Sequence, residues 1–165
     1  MPHVMLQERK FPCVEFETSG MGNNCLGYAL APILKVTPVA LRMALVDFFE
    51  RSDDDLQKFL SYSILQSTDG SVTEARHALA GSCFIPADVF IAFCQYGKRN
   101  DVLHKRNSVV FFKREGDAFI PVCFYKADNA FHTEYVVCDG THYQRILFVS
   151  QSNEQLFQIL FFKEV

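Results

Sequence analysis

Apolar and polar residues change rhythm around Asp101. Before it, apolar positions recur at helical spacing; beyond it they gather into short runs rich in β-branched and aromatic residues. Leu26, Ala29, Leu30, Ile33 and Leu34 predict a helix after Cys25, which Pro32 distorts or ends early. Thr37-Pro38 reads as an N-cap followed by proline at the first helical position, opening a helix from Val39 to Phe49. Ser52 is expected to cap a further helix through Asp53, Asp54 and Asp55 to Tyr62, with the carboxylates at its positive end. The acidic run is therefore assigned to a helix start rather than to a recognition patch. Thr73 to Ala80 and Pro86 to Tyr96 complete the helical set.

The second part predicts strands over Ser108 to Phe112, Ala118 to Tyr125, Glu134 to Cys138, Tyr143 to Val149 and Gln155 to Phe162. Gly116, Ala127-Asp128-Asn129, Asp139-Gly140 and Ser150 to Asn153 punctuate them as turns. Helices followed by strands without regular alternation indicate an α+β fold, helices packed on a mainly antiparallel central β-sheet, in a single domain over residues 1–165. The doublets Phe48-Phe49, Phe111-Phe112 and Phe161-Phe162 raise a question, because neighbouring strand residues point to opposite faces. A sheet covered on both sides accounts for them; rings lining a partner surface are the other option.

Composition narrows the function classes. The chain has 165 residues, 49% hydrophobic and 21% charged, enough for a core without staples. A net charge of -3 argues against a dedicated nucleic-acid binder. The longest apolar runs fall short of a membrane span, and Met1 to Met5 lacks the basic-then-apolar pattern of a secretory signal. A cytoplasmic protein, in a host cytoplasm if of viral or bacterial effector origin, is the expectation. The six cysteines are widely and irregularly spaced, and no CxxC or CxxH pair suggests zinc, so neither a disulfide framework, a metal nor a cofactor is expected. Cys13, Cys83, Cys94, Cys123 and Cys138 read as reduced, small apolar residues.

Cys25 stands apart. Gly22, Asn23 and Asn24 favour turns and caps, so Cys25 is expected in the first helical turn, where unpaired N–H groups stabilise a thiolate. Among the histidines, His3 and His132 fall in tail or loop segments, His77 in a helix and His104 in a basic surface segment. Only His142 combines a preceding Gly-Thr turn with a following aromatic residue and a strand. A cysteine opening a helix and a histidine opening a strand are the halves of a thiol nucleophile and its base. An imidazolium beside Cys25 would lower its pKa from the free value of about 8.5. Backbone amides around Gly22, Asn23 and Cys25 would face an oxyanion.

Gly22-Asn23-Asn24-Cys25-Leu26 and Thr141-His142-Tyr143, in this order and over a hundred residues apart, resemble the two motifs of the OTU (ovarian tumour) cysteine proteases, including the compact viral members. Ile85 to Phe93 resembles, more loosely, the helix before that family's central sheet. The resemblance spans about Phe11 to Phe148 and implies a papain-like OTU fold. It also implies hydrolysis of (iso)peptide bonds after the Gly-Gly terminus of ubiquitin or a ubiquitin-like modifier, with conjugates of these as partners. By the same resemblance Gly140 and Tyr143 would flank the channel for that terminus. Gly22 stands where the family pattern has Asp, and Gln144 where it often has Asp or Asn. Gln144 is assigned as the residue orienting His142, with Asp139 or a bare dyad as alternatives. Processing of a viral polyprotein and an inactive ubiquitin-binding module are the competing functions.

Overall fold

The chain opens with a hairpin that the hydrophobic pattern did not announce. Strands β1 (His3–Leu6) and β2 (Arg9–Phe16) are joined by Gln7 and Glu8, which have φ of 52° and 63°. A two-residue turn with both central residues at positive φ normally carries Asn-Gly. Gln-Glu in that place leaves no turn signature, so the helical first part predicted for this end of the chain is corrected to a strand pair. The computed structural model describes residues 1–130 and 132–164.

After the hairpin come α1 (Cys25–Ala29), α2 (Pro38–Arg51), α3 (Asp54–Leu65), α4 (Val72–Ala80) and α5 (Ala87–Tyr96). Pro32 falls in a short 3-10 turn, Ala31–Ile33, and α1 ends before it. Thr37 caps α2 by accepting from the Ala40 amide at 3.1 Å, with Pro38 first in the helix. The cap of α3 is Asp53 and not Ser52. The Ser52 hydroxyl donates to the Phe48 carbonyl at the end of α2, while the Asp53 carboxylate accepts from the Leu56 amide at 2.8 Å.

Strands β3 (Asn107–Glu115), β4 (Ala118–Tyr125), β5 (His132–Asp139) and β6 (His142–Phe148) join the hairpin in the order β1-β2-β6-β5-β3-β4, and β4 returns to β1. The fold is thus mixed α and β, with a closed, barrel-like sheet. Its pairings are antiparallel except β3 with β5 and β1 with β4.

Strand alternation sorts the core into two clusters. Val109, Phe111, Val136 and Tyr143 face α1 to α5, whereas Val110, Phe112, Tyr135, Val137, Ile146 and Phe148 face inward. Phe111 and Phe112 are both buried, so the sheet is covered on both faces and these rings are core. The final segment, Gln155 to Phe162, is not the strand that its residues predict but part of a helix, α6 (Gln151–Glu164). Ser150 accepts from the Asn153 amide at its start, in the stretch expected as a turn. Phe157 and Phe161, one helical turn apart, enter the inward cluster, where the Phe157 ring meets Phe11, Phe112, Tyr135 and Phe148. Burying a side chain of that size is worth roughly 1.5–3 kcal/mol, which decides the conformation of a short apolar run with no strong period.

Candidate functional site

The site lies where the loop after β2 and the first turn of α1 meet the start of β6. The loop makes a 3-10 turn over Met21–Asn23, with Gly22 at φ 64° and Asn23 at φ 59°. Gly22 suits that conformation; Asn is among the few other residues that adopt it readily. The chain thereby turns so that Cys25 becomes the first residue of α1. The Asn23 amide donates to Gly20 O at 3.0 Å and the Asn24 amide to Met21 O at 3.1 Å.

Three contacts lace this loop to β6. Thr18 Oγ1 donates to the Tyr143 carbonyl at 2.7 Å, Cys25 Sγ donates to the Thr141 carbonyl at 3.7 Å, and the His142 ring packs over Gly20. A Cβ on Gly20 would sit 3.5 Å from His142 Nδ1, an ordinary contact distance. Tertiary structure therefore brings Cys25 against the residue preceding His142, across 116 positions of sequence. Among the described residues no hydrogen bond joins the Cys25 thiol to the His142 ring. Cys25 is buried, at 1% exposure.

On β6 the side chains of His142 and Gln144 share one face and Tyr143 takes the other. No hydrogen bond links Gln144 to the His142 ring among the described residues; the strand partner of Gln144 is Val137. Asp139 is paired directly with His142 across the β5–β6 hairpin. Its carboxylate also forms an ion pair with Arg114 Nε at 3.1 Å, and Arg114 reaches Glu15 as well. Both carboxylates hold the Arg114 guanidinium above its ordinary pKa, the Glu15 hydrogen bond contributing most.

Gly140 sits at φ 65° in the hairpin turn, and a Cβ there would meet nothing within 4 Å. Its backbone conformation explains the glycine. Tyr143, expected beside a substrate channel, is instead a core residue at 1% exposure. Its hydroxyl donates to the Ile85 carbonyl at 2.8 Å and its ring stacks on Phe84, with centroids 4.9 Å apart. Alternation on β6 sends it to the helical side, and burial pushes its phenol well above the ordinary range.

The remaining thiols are free, and burial is the first cause raising each pKa: Cys13 and Cys138 to about 11, Cys94 and Cys123 to about 12, and Cys83 upward against the opposing Arg42 charge. Cys138 donates to the Gly140 carbonyl at 3.3 Å, on the same hairpin turn that receives Cys25. No three His, Cys, Asp or Glu side chains among the described residues are grouped as metal ligands. No helix among them is long and apolar enough to cross a membrane.

The hydrophobic pattern alone gives Arg42 no place in the site. Buried at 3% exposure, it lies on the core side of α2 with Leu45, Val46 and Phe49, at spacings of three, four and seven residues. A lone arginine in that apolar stripe is the signal that was available. Its Nε donates to Asn24 Oδ1 at 2.7 Å, Nη1 to Leu79 O at 2.9 Å, and Nη2 to Asn23 O and Cys83 O at 2.8 Å each.

No family model matches the chain, and no curated protein matches it. Among solved structures, an OTU deubiquitinase from Wolbachia pipientis wMel aligns over 87% of this chain and 95% of its own, with 11% identity and a TM-score of 0.49. A likeness of that degree carries no argument about activity.

Proposed function

We propose that the chain is a cysteine peptidase of OTU type, acting on (iso)peptide bonds after the C-terminus of ubiquitin or a related modifier, as one domain over residues 1–165. The observation that carries the reading is the contact of Cys25 Sγ with the Thr141 carbonyl, which puts a helix-opening thiol beside the residue that leads into His142. The thiol exchanges that carbonyl for the imidazole, gives it the proton and attacks the substrate carbonyl. His142 then protonates the leaving lysine amine, and water releases the acyl-enzyme. α1 is five residues long, so local amides rather than a long-helix dipole act on the oxyanion. With the Asn23 amide donated to Gly20, the amides of Gly22 and Cys25 are the other donors of the expected set.

The burial of Cys25 and the absence of a Cys25–His142 hydrogen bond among the described residues favour a second reading, an inactive module that holds a ubiquitin-like partner. A fluorogenic ubiquitin substrate separates the two. The peptidase turns it over and loses nearly all activity in Cys25→Ala and His142→Ala; binding without turnover supports the module. Cleavage of peptides but indifference to a ubiquitin electrophile marks a polyprotein-processing enzyme. In the same assay Gln144→Ala is expected to lower the rate about 10- to 1000-fold. If Asp139→Ala lowers it and Gln144→Ala does not, the orienting role belongs to Asp139, which already faces His142 across the hairpin.

A further inference from the structure

We propose that Arg42 is a positioning residue that sets Cys25 relative to His142 through the segment between α4 and α5. The inference rests on the Cys25–His142 reading for its catalytic consequence. Its structural part stands alone.

All four hydrogen bonds of the Arg42 guanidinium go to neutral oxygens, and no carboxylate pairs with it among the described residues. Two of the acceptors, Asn23 O and Asn24 Oδ1, belong to the two residues immediately before Cys25. The other two, Leu79 O and Cys83 O, flank the segment that follows α4. Asn23 Nδ2 adds a direct bond to Ser82 O at 2.8 Å. That same segment receives the neighbour of His142, because Ile85 O accepts from the Tyr143 hydroxyl and Phe84 stacks on the Tyr143 ring. The residue before the nucleophile and the residue after the base are thus tied to one short stretch of chain, and Arg42 closes the tie on the nucleophile side.

A buried charge is costly unless its donors are all occupied, so a guanidinium in an apolar helix face points to a requirement beyond filling space. The fork geometry supplies that requirement. One planar group reaches three backbone carbonyls and a side-chain amide on two separate segments, which a point-charge ammonium cannot do. It also satisfies the carbonyl of Asn23, in the turn that leads into Cys25.

The test compares Arg42→Met and Arg42→Lys with the unaltered protein, reading amide hydrogen exchange and turnover of the fluorogenic ubiquitin substrate. The Asn23 and Asn24 amides, bonded to Gly20 and Met21, are the local reporters. Both variants are expected to speed their exchange at least tenfold relative to amides of β3 and β5. They should lower kcat by about 10- to 100-fold with little change in KM, the signature of a displaced reacting group. Lysine retains the charge but not the fork, so it should fail to rescue; should Arg42→Met not fold, Arg42→Lys carries the test. Uniform acceleration of exchange across the chain, or no local change, would show a residue that stabilises without positioning and would overturn the proposal. If the unaltered protein proves inactive on ubiquitin, the peptidase reading fails, while the exchange pattern still decides whether Arg42 holds the nucleophile loop.

Discussion

Replacing Tyr143 by Phe removes one oxygen and leaves the ring that stacks on Phe84 in place. The hydroxyl is buried and donates to Ile85 O at 2.8 Å, so its loss removes a hydrogen bond and strands a carbonyl away from water. Leaving a buried acceptor without its partner costs about 1–3 kcal/mol. In a chain of this length each kcal/mol lowers the melting temperature by about 2–4 °C, which gives an expected drop of about 2–12 °C. Urea and thermal unfolding, followed by circular dichroism, measure it. The expectation also separates two roles for the residue. A wall of a substrate channel would show an altered KM with unchanged stability; the buried tie predicts lower stability first, with any loss of turnover appearing in kcat. A melting temperature within about 1 °C of the unaltered protein, together with a raised KM, would refute the core assignment and return Tyr143 to the channel.

Gly27→Ala is expected to destabilise by about 1–3 kcal/mol, since the new Cβ would lie 2.6 Å from Pro38 Cβ and 2.7 Å from Pro38 Cα, a rigid contact that forces α1 off α2. Urea midpoints measure this, and a variant as stable as the parent would contradict the close helix contact. Alkaline pH should also weaken the fold. Burial pushes the Cys94 and Cys123 thiols up to about 12, so between about pH 9 and 12 the unfolded chain binds fewer protons at these two and stability falls as pH rises. Cys94, 5% exposed with its pKa pushed to about 12, contributes up to about 1.4 kcal/mol per pH unit in that window. Cys94→Ala should flatten the decline of the urea midpoint above pH 9, and an unchanged slope would contradict the assignment.

Local chemistry determined a good part of this protein directly from the order of its residues. Thr37-Pro38 marks the start of α2 because a hydroxyl cap and a proline without an N–H are sufficient by themselves. The strand Ala118–Tyr125 and the turns at Gly116 and Gly140 are equally local, and so is the placing of Cys25 at a helix start after Gly22-Asn23-Asn24. Other features depend on partners distant in sequence. Gln7-Glu8 carries no turn signature, yet the hairpin forms because β2 is held between β1 and β6. Gln155 to Phe162 has no decisive period, and the inward face of the closed sheet makes it a helix by accepting Phe157 and Phe161. By resemblance Tyr143 would flank a channel, whereas alternation along β6 and the carbonyl of Ile85 make it a buried tie. Arg42 shows the same division: the sequence presents an arginine in an apolar stripe, but only the folded chain brings four neutral oxygens from two segments to its guanidinium. Capping and turn formation are settled within a few residues, while the face a side chain takes and the partner it finds depend on which surfaces the rest of the chain brings to it.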